Sequence, residues 1–330
     1  MTIKSQIVKI LGKAQLFLFS IARLVVFGFF GLEVKSYQLA EIDRDEYINF
    51  FRKASESTPF HSLDWIEVIA RGFVNYDVRI LVIRRGKTIL AAMPQFFPEK
   101  RWYFESGLRG CYGGWIYSDC PPVVMKLLSL ALSFTVYSYG SDKGLYLCSK
   151  QSTFETWVLQ LDSYERIIQS IDPKTRNQIR KSEKDGVVVQ QLGPEHMNRV
   201  LELYDILIKK HGILKPYPKE FWKVVLGIKS DVKLIGAFLG ENLISASLFI
   251  YGKSEVFYYM NFSDPAFGVS NGNNAIIAWV LKDGSEKKIG SFNFGAVPPG
   301  NAGLEHFKKN WNASRHLYMG IRKWDFFRRD

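Results

Sequence analysis

The fold of this chain is indicated by one stretch, SFNFGAVPPGNAGLEHFKKNW, residues 291–311. Its short apolar run SFNFG predicts a strand, which a turn rich in Gly and Pro ends. The helical segment that follows places Phe307 and Trp311 four residues apart, on one face. We expect this face to pack on the sheet, while Lys308 or Lys309 reaches toward the strand end. Ligands of α/β sheets usually bind beside such strand ends.

Outward from this stretch, the first half of the chain, residues 34–152, has the pattern of a mixed α/β unit. Two helical segments precede a hairpin whose turn is Gly86-Lys87. A helix is predicted from Pro121 to about residue 139, because proline is tolerated in a first helical turn. The segment LYLCS, residues 145–149, is predicted to close the unit as a strand.

The second half, residues 153–314, repeats this order of elements. Helices come first, then three consecutive strands within residues 231–262, and then a helix over 272–288 and the strand SFNFG. Residues 315–330 are predicted to add a last strand that returns to the first unit. The repeated order predicts an α/β (α+β) fold of two tandem units packed around a cleft.

Residues 1–33 have an unusual composition. Lysines at positions 4, 9 and 13 precede an apolar run from Leu16 to Leu32, which contains Arg23. A transmembrane helix needs about 20 apolar residues, and an arginine inside the bilayer is costly. The pattern is more typical of a basic amphipathic helix in the interface of the inner membrane leaflet. A helix packed on the protein itself is the alternative.

The overall composition favours an anionic partner and a reducing compartment. The 44 Lys and Arg residues exceed the 32 Asp and Glu residues, for a net charge of +12. Such a charge suits RNA, a phosphorylated molecule or an anionic membrane face. The scattered Cys111, Cys120 and Cys148 argue against a disulfide framework or a zinc knuckle. The five histidines show no metal-ligand spacing, so no metal site is expected.

Two segments are candidate anion-binding sites. The predicted helix PKTRNQIRKSEKDG places Arg176, Arg180 and Lys184 on one face, and arginine suits phosphate groups. A solvated surface is the alternative. The loop that leads into Asn273 and Asn274 opens a helix, where backbone N–H groups bind anions. It lacks the lysine of a P-loop, and a simple turn is its alternative.

Six motifs in the chain together resemble those of a known family. They are TPFHSLDW, YGG at 112–114, TRNQIRKSEKDGVVV, YYMNFSDPAF, NNAIIAWVLKDG and GSFNFGAVPPGNAGLEHFKKNW. Between Ser36 and Trp324 their order resembles that of the FemAB/FemX-like transferases of the GNAT acyltransferase superfamily, near the CelD/BcsL-like branch. The resemblance implies two GNAT-like units around a cleft. It also implies transfer of an aminoacyl group from aminoacyl-tRNA, or of an acyl group from a thioester, to an amine of a cell-envelope precursor.

The resemblance also implies roles for particular residues. The family's terminal motif matches Gly303, Phe307, Lys308 and Trp311, with tryptophan for the usual second phenylalanine. Lys308 is then expected to stabilise negative charge on the donor or on the tetrahedral intermediate. Tyr258 or Tyr259 matches the strand tyrosines that line the acyl cleft, and the end of the strand from Tyr258 to Asn261 is expected to offer backbone N–H groups to the oxyanion.

Asp264 and His61 are candidates for the base that accepts the amine proton. Asp264 precedes a proline and is equally typical of a turn, while TPFHS is also typical of a helix cap. The resemblance matches Trp65 to a family tryptophan. In many peptidoglycan-directed members, a lysine that binds the acceptor's diphosphate stands four residues after that tryptophan. This chain has Ile69 there, so an acceptor other than the nucleotide-linked muropeptide becomes plausible.

The function indicated first is an N-acyltransferase that moves an aminoacyl group from aminoacyl-tRNA to an amine such as that of a peptidoglycan stem peptide. Its expected partners are tRNA, a lipid-linked or nucleotide-linked envelope precursor and the inner face of the cytoplasmic membrane, with no permanently bound cofactor. The alternative donor is acyl-CoA, with a surface-polysaccharide sugar or another envelope metabolite as acceptor. A non-catalytic GNAT-like binding protein is the second alternative.

Overall fold

The computed structural model describes residues 3–323, apart from residues 100, 102, 109, 110, 139–141, 148, 229 and 230. The chain divides into two compact units, and each is described by itself. The first unit comprises Met1–Ala70, Val74–Phe154 and Leu317–Asp330, and the second comprises Arg71–Phe73 and Glu155–His316. The four-part domain division at 33/34, 152/153 and 314/315 stays a prediction.

The helices and strands alternate along both units. The helices are α1 (Ile3–Phe30), α2 (Arg44–Lys53), α3 (Leu63–Gly72), α4 (Pro122–Ala131), α5 (Tyr164–Ser170), α6 (Pro173–Lys184), α7 (Met197–His211), α8 (Lys219–Gly227), α9 (Gly272–Glu286) and α10 (Ala302–Asn310). The strands are β1 (Glu33–Gln38), β2 (Tyr76–Arg85), β3 (Thr88–Pro98), β4 (Phe104–Ser106), β5 (Ile116–Tyr117), β6 (Phe134–Ser138), β7 (Lys150–Gln160), β8 (Val187–Gln191), β9 (Val232–Leu239), β10 (Asn242–Tyr251), β11 (Glu255–Ser263), β12 (Ser291–Ala296) and β13 (Ser314–Arg322).

In the first unit the strand order is β1-β2-β3-β4-β6-β13, and β5 pairs with β3. The predicted hairpin is confirmed, because Arg85 pairs with Thr88 across a turn at Gly86, whose φ of 57° suits glycine. Apolar side chains on one face of this sheet pack with α4 and part of α1 to form a buried core.

The helix predicted from Pro121 to about residue 139 is too long. Helix α4 ends at Ala131, and Phe134–Ser138 forms β6, which pairs with β4 and β13. The β-branched and aromatic residues of this segment favour a strand, and four of its five residues are buried. The strand predicted for LYLCS is also wrong in its described residues, since Leu145 ends a 3₁₀ helix that begins at Asp142.

Helix α1 has one packed face and one exposed face. Val26 is fully buried in the first unit's core, and Phe19, Ala22 and Phe30 pack against it. Among the side chains of α1 that the structure describes, eight large apolar ones are exposed: Ile10, Leu16, Phe17, Leu18, Ile21, Leu24, Phe27 and Phe29. The segment Gly12–Phe30, 19 residues near the N-terminus, is long and apolar enough to cross a membrane by length and composition alone. The preference for an interfacial helix over a spanning one stays a prediction.

In the second unit the strand order is β7-β12-β11-β10-β9-β8. Strands β11 and β12 run parallel, and their pairing ends at Phe257 and Asn293, although both strands continue. Strand β11 also carries a bulge, since Leu248 of β10 pairs with Met260 and the adjacent Phe249 pairs with Tyr258. Two irregularities in the ladder therefore occur at the point where β11 separates from β12.

Candidate active site

A pocket of about 420 Å³ lies within the second unit, where β11 and β12 separate. Its walls come from α7, β11, the start of α9, the end of β12 and α10. The lining residues are Ile206, Leu207, Lys210, His211, Tyr258, Tyr259, Met260, Asn261, Phe262, Ser263, Asn273, Phe294, Ala296, Leu304, Phe307 and Lys308. Five of the residues singled out from the sequence thus meet here: Tyr258, Tyr259, Asn273, Phe307 and Lys308.

Lys308 is the buried cation of this pocket. Its residue is 2% exposed, whereas its neighbour Lys309 is exposed and forms an ion pair with Glu305 at 2.7 Å. The Lys308 Nζ donates to Gly295 O at 2.8 Å and to Ala296 O at 2.9 Å. These are its partners among the described residues, so the third ammonium hydrogen is available to a ligand. Burial lowers the pKa of Lys308 to about 7.

Tyr258 belongs to a network of side-chain hydrogen bonds along the pocket wall. Its hydroxyl donates to Asn273 Oδ1 at 3.0 Å, and the Ser247 hydroxyl donates to the same atom at 3.2 Å. Asn261 Nδ2 donates in turn to Ser247 Oγ at 2.9 Å and to Ser245 Oγ at 3.1 Å. Burial raises the pKa of Tyr258 above its usual value, so this hydroxyl stays protonated and acts as a donor.

Tyr259 is the extra residue of the β11 bulge. Its ring stacks on that of Tyr217 with centroids 6.2 Å apart, and the two hydroxyls form a hydrogen bond. Beyond Phe257, β11 has no residue paired with β12 in the described register. A bulge and an ended ladder release backbone groups from sheet pairing, which is the arrangement expected of an oxyanion site.

Asp264 lies outside the lining of this pocket, and its carboxylate has other partners. It accepts from Arg199 Nη2 at 2.6 Å and from Ala266 N at 3.0 Å, where it caps the 3₁₀ helix Pro265–Ser270. The Arg199 guanidinium, together with the backbone bond, lowers the pKa of Asp264. An ion-paired carboxylate with a lowered pKa is a poor proton acceptor, so the structure argues against Asp264 as the base.

His61 and Trp65 are buried within the first unit. The His61 Nδ1 accepts from Thr58 Oγ1 at 2.9 Å and from Thr58 N at 3.2 Å, and its Nε2 is 3.2 Å from Gly114 O. Burial lowers the pKa of His61 to about 4. Both ring nitrogens hold the local fold, which argues against His61 as the base. Trp65 and Ile69 are fully buried core residues.

The remaining candidates lie on or beside α6. Arg180 and Lys184 are exposed and Arg176 is partly exposed, as expected for a basic helix face. Asn274 Nδ2 donates to Gln178 Oε1 at 2.9 Å, a contact between α9 and α6. Asn274 thus joins two helices, whereas its neighbour Asn273 lines the pocket.

Several pocket residues carried no signal in the motifs. Lys210 and His211 end α7. Asn261 stands in the motif YYMNFSDPAF, but its side chain was not among the candidate site residues. Asn261 could have been found as a polar residue in the apolar run VFYYMNF, where a buried amide needs partners. Over the described part of the chain, no group of three or more His, Cys, Asp or Glu residues is placed to hold a metal ion.

Replacing Asp264 by asparagine tests whether this carboxylate is the base. We expect the free energy of unfolding to fall by roughly 0.5–1 kcal/mol, because the ion pair with Arg199 is lost while asparagine still caps the helix. Acyl transfer should stay within about twofold of wild type, whereas loss of a general base costs about 10²–10⁴-fold. Thermal unfolding and initial rates measure the two effects. Arg199→Gln, which breaks the same pair, is the matched control, and a large loss of rate in Asp264→Asn alone would restore the base assignment.

The comparison of sequences identifies the type of domain to which this pocket belongs. Residues 173–309 match the family model of an acetyltransferase (GNAT) domain. This segment contains every residue that lines the pocket, and the match confirms the acyltransferase class predicted from the sequence. No curated protein sequence matches the chain.

Solved structures show the fold of the chain as a whole. A crystal structure of FemX superposes with a TM-score of 0.69 at 14% identity, and covers 86% of this chain and 96% of its own. The C-terminal domain of a putative lysylphosphatidylglycerol synthetase from Agrobacterium fabrum gives 0.55 at 12% identity, with 87% and 93% covered. A tandem GNAT protein from the clavulanic acid biosynthesis pathway gives 0.51 at 10% identity, with 88% and 97% covered.

These likenesses confirm the predicted α/β fold of two tandem GNAT-like units and the resemblance to FemX-like proteins at the level of fold. Residues 173–309 thus match the model of an acetyltransferase (GNAT) domain, within a chain that has the fold of FemX.

Proposed function

We propose that this protein is an aminoacyltransferase that moves an aminoacyl group from aminoacyl-tRNA to an amine of a cell-envelope precursor, such as a peptidoglycan stem peptide. One observation carries the proposal: the buried ammonium of Lys308 and the tyrosines of β11 line one pocket, in a domain of acyltransferase type. The similarity to FemX, and to a protein named as a lysylphosphatidylglycerol synthetase, favours an aminoacyl donor over other acyl donors.

The reaction needs little covalent chemistry from the protein. The neutral amine attacks the carbonyl carbon of the aminoacyl ester, and the C=O electron pair moves onto oxygen. The Lys308 ammonium and backbone N–H groups of the β11 bulge stabilise this oxyanion. One such donor raises the rate of acyl transfer by about 10²–10³-fold. Collapse of the intermediate breaks the ester C–O bond, and the proton that the attacking nitrogen loses passes through water to the leaving ribose oxygen, which leaves a neutral amide and a ribose hydroxyl. No carboxylate lines the pocket among the described residues. Before attack, the acceptor ammonium loses one proton to water, which gives the neutral amine.

The acceptor is proposed to be membrane-linked. The exposed apolar face of α1 suits the inner face of the cytoplasmic membrane, where lipid-linked envelope precursors are available. At position 69 this chain has a buried isoleucine, in place of the lysine that many peptidoglycan-directed members use for a diphosphate. This replacement makes an acceptor other than the nucleotide-linked muropeptide plausible.

An acyl-CoA-dependent N-acyltransferase, acting on a surface-polysaccharide sugar or another envelope metabolite, is the second candidate. The description of the matched domain as an acetyltransferase favours it. The tandem GNAT protein from the clavulanic acid biosynthesis pathway, a structure solved without AcCoA, also has this fold.

The experiment that tests the proposal offers the purified protein labelled aminoacyl-tRNA or labelled acetyl-CoA, together with an extract of envelope precursors. We expect label to reach an amine from the tRNA donor, and prior RNase treatment should abolish the transfer. Transfer from acetyl-CoA that RNase does not affect would support the second candidate. Salt-dependent RNA binding without any product would support a non-catalytic role. Mass spectrometry of precursors from cells with and without the protein identifies the acceptor.

A further inference from the structure

A chain of buried polar groups leads from the strand pair β11–β12 to Lys308. Asn293 and Thr156 are fully buried and Glu255 is 7% exposed, all in the apolar core of the second unit. Thr156 Oγ1 donates to Asn293 Oδ1 at 2.7 Å, and Asn293 Nδ2 donates to Glu255 Oε2 at 3.0 Å. Asn293 Oδ1 also accepts from Gly295 N at 2.8 Å. Buried polar groups are costly unless paired, so this network needs a specific amide at position 293.

The bond from Gly295 N to the Asn293 side chain shapes the end of β12. It closes a turn two residues long, and Gly295 has a φ of 74°, which suits glycine. At the same place the register with β7 shifts, since Asn293 pairs with Val158 and Ala296 pairs with Thr156. This bulge turns Gly295 O and Ala296 O toward Lys308. Both oxygens accept hydrogen bonds from the Lys308 Nζ, at 2.8 and 2.9 Å.

We propose that Asn293 is a positioning residue for acyl transfer: its side chain sets the β12 bulge whose two carbonyl oxygens orient the Lys308 ammonium, and Glu255 holds Asn293 in place. This inference rests on the proposed function, in which Lys308 acts on the oxyanion. Asn293 touches no substrate and acts through Gly295. Because a displacement of about 1 Å at a reacting group costs about 10²-fold in rate, the orientation of Lys308 is the quantity that the network controls.

The chemistry of the Asn293–Glu255 pair defines the test. Two titratable groups belong to this hydrogen-bond network in the described residues: Glu255 on β11, which Asn293 contacts directly, and Lys308 on α10, beyond Gly295. Thr156 is neutral. An aspartate at position 293 loses the donor to Glu255 and faces its carboxylate. The two acids can share one proton at low pH but repel when both ionise. Burial already raises the pKa of Glu255 to about 7. The substitution Asn293→Asp should therefore lower the rate of acyl transfer more at high pH than at low pH.

The experiment compares Asn293→Asp, Glu255→Gln and the double variant in transfer assays at pH 6 and pH 8. In Asn293→Asp we expect kcat to fall about 10- to 30-fold at pH 8 and less than about threefold at pH 6, with KM within about threefold. In the double variant the new amide at position 255 donates to the new carboxylate at position 293, which restores the pair with donor and acceptor exchanged. The double variant should recover to within about threefold of wild type at pH 8, where the loss in Asn293→Asp is largest.

Two controls separate positioning from simple loss of stability. Ser182→Ala removes a buried hydroxyl of α6 that donates to Ile179 O at 2.6 Å, and should lower the melting temperature without changing kcat. If Asn293→Asp does not fold, Thr156→Val removes the donor to Asn293 Oδ1 and should lower kcat about threefold. Equal losses at pH 8 in Asn293→Asp and in the double variant, or a loss that tracks melting temperature across all variants, would overturn the proposal.

A second readout does not depend on acyl transfer. The titration of Lys308, followed by NMR of labelled lysine side chains, should move by about half a pH unit or more in Asn293→Asp and return in the double variant. An unmoved titration contradicts the positioning role. A wild-type protein that transfers from no donor, together with this shift in the variant, contradicts the proposed function alone.

Discussion

Replacing Lys308 by methionine should lower the rate of acyl transfer by about 10²–10³-fold, the loss that follows removal of one oxyanion donor. Methionine keeps the length and apolar character of the side chain, so the pocket should stay packed. The variant lacks the ammonium that bonds Gly295 O and Ala296 O. Initial rates at saturating acceptor measure the effect, which should fall on kcat because the charge to be stabilised develops only in the transition state.

The pH dependence of the wild type and of Lys308→Met tests the same role of the ammonium. Burial lowers the pKa of Lys308 to about 7, so the side chain is charged below that pH and neutral above it. The charged form is the one that stabilises an oxyanion. The ratio of the wild-type rate to the Lys308→Met rate should therefore be largest below pH 7 and decline as pH rises through it. Titration of the substrate amine affects both proteins alike and cancels in this ratio.

The matched control is Lys309→Met. This lysine is the next residue along α10, but it is exposed and paired with Glu305 at 2.7 Å. Its replacement removes the same charge from the chain and should change transfer less than about twofold, since exposed ion pairs contribute little. Equal rates in the two variants would mean that Lys308 has no role in the chemistry.

The elements that the sequence predicted well are those with strong local signals. The hairpin at Gly86 and the strand SFNFG with its following helix depend on turn residues and on periodicity within a few positions. The end of α4 was predicted wrongly because α4 and β6 form one nearly continuous apolar stretch, in which a helix and a buried strand have similar composition. Pairing of β6 with β4 and β13, which joins residues distant in the chain, decides between them.

The site shows the same division between local and distant information. Motifs indicated Lys308 and Tyr258, and the structure brings both to one pocket. Asp264 resembled a base because a carboxylate follows a strand, but its partner Arg199 lies 65 residues away and was invisible in the local pattern. Asn293 was quoted only as part of a strand. Its function depends on bonds to Thr156 and Glu255, which only the folded chain brings within reach.

The exposed face of α1 leads to a second prediction with a large expected effect. Leu24 and Phe27 are 72% and 60% exposed, and they line a groove with Arg23 and Lys35. Burial of one such apolar side chain contributes about 1.5 kcal/mol, which is about tenfold in partitioning. Replacing both by serine should therefore weaken binding to vesicles containing anionic lipid by roughly 30- to 100-fold. Co-sedimentation with vesicles measures the change.

The control for this face is a double serine variant of Val188 and Val269, exposed apolar residues of the second unit. It should bind vesicles as the wild type does, because these residues lie outside α1. Higher salt should weaken wild-type binding, since Arg23 and Lys35 attract anionic headgroups only at short range. If the two double variants bind alike, α1 is not the membrane contact. Resistance of the wild type to carbonate extraction would instead show that Gly12–Phe30 spans the bilayer, because an interfacial helix is released by that treatment and a spanning helix is not.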